Sequence, residues 1–330
     1  MRLPHHYLLD ASVVFSFDAS GFRRHARAFD PADLEVDLSG RVCLVTGANS
    51  GIGRATAREL ALRNATVLLL CRNPERGQRA EDELRAETGS ESIRFHQLDL
   101  SDLVDVRRYA AETAPERIDV LIHNAGLLPL ERQLSPQGHE ITLATHVLGP
   151  LLLSQLLRER LASGARRGRI VWVSSGGMYT QALSLRDVQW EERDYDGVVA
   201  YAQTKRMQVV LAELLAERWP ELAVNSMHPG WADSPGVERS LPTFHKLLGK
   251  RLRTPAQGAD TVVWLAVADA AEARSGEFFF DREARSPYLL GKQESPERRR
   301  ELWDACQRWL AESAPASPPE PASAQSGAGA

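Results

Sequence analysis

Thr46-Gly47-Ala48-Asn49-Ser50-Gly51-Ile52-Gly53 is the stretch that decides the fold of this chain. It ends a short β-rich run, Val42 to Thr46, and opens a helical stretch, Arg54 to Arg63, rich in Ala, Leu, Arg and Glu. Its spacing is G-x-x-x-G-x-G, not the G-x-G-x-x-G of the older dinucleotide fingerprint. The physics is the same. Residues without a Cβ let backbone amides approach a pyrophosphate at a helix N-terminus. Gly47, Asn49, Ser50, Gly51, Ile52 and Gly53 are therefore candidate cofactor contacts. A bare glycine cluster is weak evidence; the strand before it and the helix after it supply the context it needs.

Working outward, strand-like apolar runs alternate with helical stretches. Thr66 to Cys71 is a continuous apolar strand, and Pro74 to Thr88 a charged helix with Asn73 as N-cap. Further strands are expected at Ile93 to Gln97, Asp119 to His123, Arg169 to Ser174, Ala223 to Met227 and Gly276 to Phe280. Helices are expected at Gln137 to Arg160, Val198 to Trp219 and Pro255 to Ala268, with another capped by Ser101 or Asp102. Buried, non-alternating strands linked by helices imply an α/β protein with a Rossmann-like, doubly wound parallel sheet. The chain divides into an N-terminal extension (1–40), one catalytic domain (41–312) and a tail (313–330). The tail is rich in Pro, Ala, Ser and Gly, lacks periodicity, and is expected to be disordered.

Composition narrows the function classes. The 330 residues carry a formal net charge of -4 and are 43% hydrophobic, an ordinary globular balance. Nothing in it supports a nucleic-acid partner. Three cysteines, Cys43, Cys71 and Cys306, form neither a metal spacing nor a disulfide framework. No metal is expected, and a reducing, cytoplasmic setting is the simplest reading. No apolar run reaches transmembrane length, and Asp10 and Asp18 interrupt any secretory pattern. Residues 11–29 mix Val13, Val14, Phe15, Phe17 and Phe22 with Arg23, Arg24 and Arg27. Peripheral membrane contact is one reading of that mixture. Packing on the body of the protein, or on a second subunit, is favoured because the apolar residues are few and acids interrupt them.

The edge of the sheet supplies the cofactor preference. An acid at the end of the second strand would hold a ribose 2′-hydroxyl, but this chain has Cys71-Arg72-Asn73. Arg72 suits a 2′-phosphate through charge-assisted hydrogen bonds, with Arg54 as a candidate helper. NADP(H) is thus preferred and NAD(H) is the alternative. Asp99-Leu100 lies at the carboxyl edge, where Asp99 suits an adenine amino group or serves as an ordinary helix cap. Asn124-Ala125-Gly126 suits close passage of backbone past a cofactor, and is equally a turn signal. Downstream, Tyr201 and Lys205 are four residues apart and share one helix face. A cation beside a phenol favours the phenolate and makes a proton donor usable near neutral pH.

Taken in order, these elements resemble the short-chain dehydrogenase/reductase (SDR) superfamily over roughly residues 38–282. The shared pattern is Thr46 to Gly53, Asp99-Leu100, Asn124 to Gly126, Ser174-Ser175, Tyr201 to Lys205 and Pro229-Gly230. Val173 to Met178, Tyr201 to Arg206, Met227 to Asp233, Asp33 to Val36 and Ala256 to Thr261 are similar to the member-12 group within it. Retinol-dehydrogenase-like reductases also look similar. The resemblance implies an NAD(P)-dependent oxidoreductase moving hydride between nicotinamide and a carbonyl/alcohol pair. It makes Tyr201 the proton donor, Lys205 its partner and a ribose ligand, and Ser175 the group that polarises the carbonyl. Ser174 is expected in packing. Pro229, Gly230 and Trp231 would shape the loop beneath the nicotinamide, and Ser234 would bond its carboxamide or a phosphate. His146 stands where the family has Asn, whose backbone carbonyl holds a water linked to the Lys.

The resemblance also places a lid between Trp231 and Thr254, with Val237, Leu241, Phe244, Leu247 and Leu248 beneath it. Met178, Tyr179 and Leu183 would form the opposite wall. An apolar pocket of this kind implies a small lipophilic carbonyl or alcohol substrate. The long helices at 137–160 and 198–219 would pair copies into a homo-oligomer, a dimer or tetramer. The competing function is a non-catalytic nucleotide-binding sensor or scaffold of the same fold. A complete Ser175, Tyr201 and Lys205 set is what such a binder need not keep.

Overall fold

β1 (Val42–Thr46) is buried along almost its whole length, with Cys43, Leu44 and Val45 fully enclosed. A strand with no polar alternation fits only the middle of a sheet covered on both faces. It pairs in parallel with β2 (Thr66–Cys71) on one side and β4 (Val120–His123) on the other. With β3 (Ile93–Gln97), β5 (Arg169–Val173), β6 (Ala223–Met227), β7 (Phe278–Phe280) and β8 (Glu283–Ala284), the order is β3-β2-β1-β4-β5-β6-β7-β8. Only the β7–β8 pair is antiparallel, a two-residue edge too short to leave a pattern in the sequence. The strand order reverses between β1 and β4, and a crevice opens there at the carboxyl ends. This is the doubly wound α/β fold expected. The computed structural model describes residues 13–233, 246, 249–288 and 293–314. The expected tail, apart from Ser313 and Ala314, lies outside the described residues, as do Ser234 and the apolar positions of the expected lid.

The helices among the described residues are α1 (Val13–Phe17), α2 (Ala19–His25), α3 (Gly51–Ala61), α4 (Pro74–Thr88), α5 (Leu103–Arg108), α6 (Ile141–Ala162), α7 (Gly197–Arg218), α8 (Pro255–Val267), α9 (Asp269–Glu272) and α10 (Pro296–Glu312). One face of the sheet packs against α5, α6, α7 and α10 through Leu44, Leu121, Ile170, Leu151, Leu211 and Leu302. The other packs against α3, α4 and α8 through Val45, Val67, Leu60, Leu84 and Val263. Each enclosed leucine contributes roughly 2 kcal/mol relative to exposure.

α6 begins at Ile141, not at Gln137. Ser135 and His139 close a turn ahead of it, and the Glu140 carboxylate caps the helix by accepting the Leu143 N–H at 2.7 Å. By length and apolar composition α6 could cross a membrane, but its surface is mostly buried in the fold. Its residues Ala144–Leu148 form a π turn. Pro150 follows, and its missing N–H leaves the His146 carbonyl without an i+4 donor. α10 lies across both long helices. Gln155 of α6 bonds Gln307, Glu217 of α7 bonds Arg299, and Leu302, Cys306 and Leu310 enter the core. A homo-oligomer through α6 and α7 has to share that face with α10.

Candidate active site

The crevice has two halves. The first is built around the turn between β1 and α3. Gly47 and Gly51 sit at φ +65° and +53°, in the left-handed region that favours glycine. A Cβ on Gly53 would lie 2.3 Å from Asn124 Nδ2 and 2.5 Å from the Gly47 carbonyl. Asn124 Nδ2 donates to the Thr46 carbonyl at 2.9 Å, and Thr46 Oγ1 accepts the Asn124 and Ala125 N–H groups, each at 3.0 Å. The turn is thus closed against Asn124-Ala125-Gly126. α4, α5 and α7 are capped by the side chains of Asn73, Asp102 and Asp196, but Ser50 makes no side-chain cap on α3. The first-turn amides of α3 are therefore left for a ligand. This uncapped cradle, which a Cβ would fill, fits a dinucleotide pyrophosphate. Ile52 faces α8, where it leaves room only for Gly258.

Arg72 extends from the end of β2 with 66% of its side chain exposed, 4.0 Å from the Asp99 carboxylate. Such an exposed pair binds weakly and yields readily to a phosphate. Asp99 also accepts the Ser101 N–H and hydroxyl at 2.9 and 2.7 Å, so it serves the turn after β3 as well as facing Arg72. Leu100 is buried, and its carbonyl touches Gly149 of α6 so closely that a Cβ there would lie 2.0 Å away. The Arg54 guanidinium is paired with Glu83 and Glu87 of α4, two carboxylates one helical turn apart. Cys71, buried at the same strand end, offers its sulfur to the Ala48 and Asn49 amides, and burial pushes its thiol up to about 11.

The second half joins the ends of β4, β5 and β6 to α7. Ser174 and Ser175, the two residues after β5, diverge. Ser174 Oγ is buried and donates to the Lys205 carbonyl at 2.8 Å. Ser175 starts the following turn, accepts the Gly177 N–H at 3.2 Å, and flanks Gly177 together with Tyr201: a Cβ there would lie 3.6 Å from Ser175 Oγ and 4.0 Å from the Tyr201 ring. Lys205 Nζ lies 5.5 Å from the centre of the Tyr201 ring. It donates to the Val173 carbonyl at 2.8 Å and to Gln208 Oε1 at 3.0 Å. A Cβ on Gly126 would be 3.8 Å from that ammonium, so the Asn124–Gly126 turn passes directly beside it.

The electrostatics differ from the simple expectation of a cation that lowers a phenol. Burial raises the Tyr201 hydroxyl above its ordinary value, and the nearby Ser175 hydroxyl offsets only part of that. Burial also lowers Lys205 to about 7. Both groups lose solvation, and each loses the form that water stabilises. Burial thus favours the neutral phenol and the neutral amine.

His146 is fully buried, and both ring nitrogens are used by the protein. Nε2 accepts the Leu127 N–H at 3.0 Å, which leaves Nδ1 to donate to Thr204 Oγ1 at 2.9 Å. Burial and the Lys205 cation hold its pKa well below the usual histidine range. The imidazole is a neutral brace between the loop after Gly126 and α7, its ring centre 5.5 Å from that of Tyr201 and its plane nearly perpendicular. Its backbone carbonyl, freed by Pro150, accepts Gln208 Nε2 at 2.8 Å. Gln208 thus links that carbonyl to Lys205, where the resemblance implied a water. Sequence reading missed Gln208. The signal was present in Pro150, four residues after His146, which orphans the carbonyl a partner must satisfy.

Gly230 follows Pro229 at φ +73°, and the Trp231 carbonyl accepts the Arg253 N–H at 2.8 Å. Two expected wall residues are elsewhere. Met178 is sealed against Val209 and Phe278, and Leu183 lies in the main core, because the turn after β5 folds them inward. Tyr179 is half-buried and donates to the Ser286 carbonyl at 2.9 Å. Among the described residues no cluster of three or more His, Cys, Asp or Glu could hold a metal.

The short chain dehydrogenase family matches residues 41–243 of this chain. Dehydrogenase/reductase SDR family member 12 from Homo sapiens is 44% identical over 281 residues, covering 84% of this chain and 88% of that protein. Retinol dehydrogenase 11 from Mus musculus is 34% identical over 275 residues, covering 82% and 86%. A solved short chain dehydrogenase from Shigella flexneri, complexed with NADP, aligns at 27% identity with a TM-score of 0.58, covering 74% of this chain and 98% of that one.

Proposed function

This chain belongs to the short-chain dehydrogenase family of oxidoreductases, and on that premise we propose that it moves hydride between NADP(H) and the carbonyl carbon of a lipophilic substrate. The observation that carries the proposal is the convergence of Ser175, Tyr201 and Lys205 beside Gly126, next to the open cradle of α3. Bound NADPH would supply the hydride. Gly47, Asn49, Ser50, Gly51, Ile52 and Gly53 would hold its pyrophosphate, Arg72 its 2′-phosphate, and Asp99 and Leu100 its adenine edge. Asn124, Ala125, Gly126, Pro229, Gly230, Trp231 and Ser234 would line its nicotinamide half, with Tyr201 and Lys205 on its ribose. An NADP complex of a relative and a retinol dehydrogenase among the similar proteins support the cofactor and the lipophilic substrate class.

In that reading, Tyr201 keeps its proton at neutral pH because burial disfavours the phenolate, so it stands ready to protonate a carbonyl oxygen. Ser175 bonds the same oxygen and orients it. When Tyr201 gives up its proton, the phenolate left behind favours the charged form of Lys205, which offsets the desolvation that both groups suffer. Gln208 and the Val173 carbonyl hold the ammonium in place for that moment. Gln208 joins Lys205 to the His146 carbonyl as a fixed protein bridge, in place of an exchangeable water.

The test is an NADPH-oxidation screen across aldehydes and ketones of graded length and ring content, preceded by a fluorescence titration of the cofactor. Binding with turnover that rises with apolar size supports the proposal. Tight binding with no turnover on any carbonyl would favour the sensor or scaffold instead. Cys43, Cys71 and Cys306 are free and buried, which suits a reducing compartment. We propose a cytoplasmic setting, checked by fractionating cells that make the full chain; recovery with membranes or outside the cell would refute it.

A further inference from the structure

Phe17 lies far from the catalytic residues in sequence, yet its ring stands between two loops of the site. Its ring centre is 4.5 Å from that of His228, 5.2 Å from Phe280 and 6.0 Å from Trp231. A Cβ on Gly176, the residue after Ser175, would lie 2.5 Å from the edge of the Phe17 ring. The Phe17 carbonyl accepts the Trp231 N–H at 2.8 Å, and a Cβ on Gly230 would lie 2.7 Å from that oxygen. Two glycines thus make room for one phenylalanine, each in a loop that the mechanism uses.

The segment is clamped from beneath. Arg253, almost completely buried, donates to the Ser16 carbonyl at 2.9 Å, the Phe17 carbonyl at 2.9 Å and the Pro229 carbonyl at 3.3 Å. Its other side-chain bonds go to the Asp18 carbonyl at 3.3 Å and to both carboxylate oxygens of Asp281, which also takes His25 Nδ1 at 2.6 Å. Asp281 and Arg282, at φ +50° and +58°, form the two-residue turn between β7 and β8, a place where Asp is common. Burial works to raise its pKa, but the hydrogen bonds from His25 and Arg253 prevail and keep it low. Asp18 turns the chain between α1 and α2 by accepting the Ser20 and Gly21 N–H groups at 2.8 and 3.0 Å. One buried guanidinium therefore ties the N-terminal segment and the Pro229–Trp231 loop to the same carboxylate.

We propose that the N-terminal segment is a working part of the active site. Phe17 is a positioning residue that seats the Pro229–Trp231 loop against the Ser175–Gly176 turn, and so sets affinity for the nicotinamide end of the cofactor. The inference rests on the oxidoreductase reading above. Its test uses the full chain and calorimetric titration with two ligands. One is NADPH; the other is adenosine 2′,5′-bisphosphate, which has the adenosine end and 2′-phosphate but no nicotinamide. Phe17→Ala weakens NADPH about tenfold and leaves the bisphosphate within about twofold. Equal losses for both ligands, or none for NADPH, overturn the proposal. Gly176→Ala pushes on the same ring, so it weakens NADPH alone, and adding Phe17→Ala restores part of the loss. Strictly additive losses in the double variant overturn it too. Phe17→Leu, which keeps an apolar group in place, gives an intermediate NADPH affinity even if the Ala variant fails to fold. If the unsubstituted chain binds neither ligand, the oxidoreductase reading itself fails and the inference falls with it. If that chain binds NADPH and Phe17→Leu and Phe17→Ala match it, only the inference fails.

Discussion

The two halves of the crevice are built on opposite plans. The half around β1, α3 and β2 is local, open and polar. Its glycines are within seven residues of each other, Arg72 is mostly exposed, and α3 keeps an uncapped N-terminus. The half around Tyr201 is non-local, dry and crowded. It draws on Phe17, Gly126, His146, Ser175, Lys205, Gln208 and Trp231, and burial shifts its titrating groups. Binding a dinucleotide phosphate needs amides and a cation at a surface, which a short motif can provide. Holding a proton donor and an amine without water needs enclosure from several sides, which only distant segments can provide.

That contrast breaks most sharply at Tyr201. Tyr201→Phe removes the proposed proton donor alone, so turnover falls roughly a thousandfold or more while NADPH still binds, as rate assays and titration will show. Retained turnover would mean that the dry half is not where the proton moves. Gly53→Ala attacks the open half instead. Its methyl would collide with Asn124 and the Gly47 carbonyl, and the expected loss is about 2 kcal/mol, shared between melting temperature and NADPH affinity. A chain that melts and binds as before would show that the cradle is looser than its geometry.

Smaller effects sharpen the contrast. Arg72→Ala weakens NADPH about tenfold and changes NADH by less than about twofold, because only NADPH carries the 2′-phosphate. Equal losses in paired titrations would remove Arg72 from that role. Gln208 tests the dry half through pH. Lys205 titrates at about 7, and the Gln208 oxygen favours its charged form. Gln208→Leu removes that acceptor, so the lysine ionisation seen in the pH–rate profile moves to lower pH, by about one unit. Gln208→Glu adds an anion and moves it to higher pH. Profiles that coincide would show that the bridge does not tune the lysine.

The same contrast explains what could be read in advance. Strand β1, the glycine turn, Arg72 at the end of β2 and the Asn124–Gly126 turn are legible because each is a short run with its own backbone chemistry. Tyr201 and Lys205 are legible because helical spacing alone puts them on one face. The pairing of Arg54 was not legible, because its two carboxylate partners on α4 are remote in sequence. Met178 and Leu183 misled because apolar residues beside a site look alike whether they line a pocket or fill a core. Gln208 was hidden: its role depends on α6 and α7 lying side by side, although Pro150 marked the carbonyl it serves.

The sequence by itself determined the doubly wound sheet, the place of the cofactor turn and the shared helix face of Tyr201 and Lys205, since these follow from local spacing and strand character. Tertiary structure decided the state of that pair. How far Tyr201 and Lys205 are stripped of water depends on what packs around them, and no local pattern records it. It also decided that a segment before the first strand reaches the site, because Arg253 and Asp281, far along the chain, draw Phe17 into it.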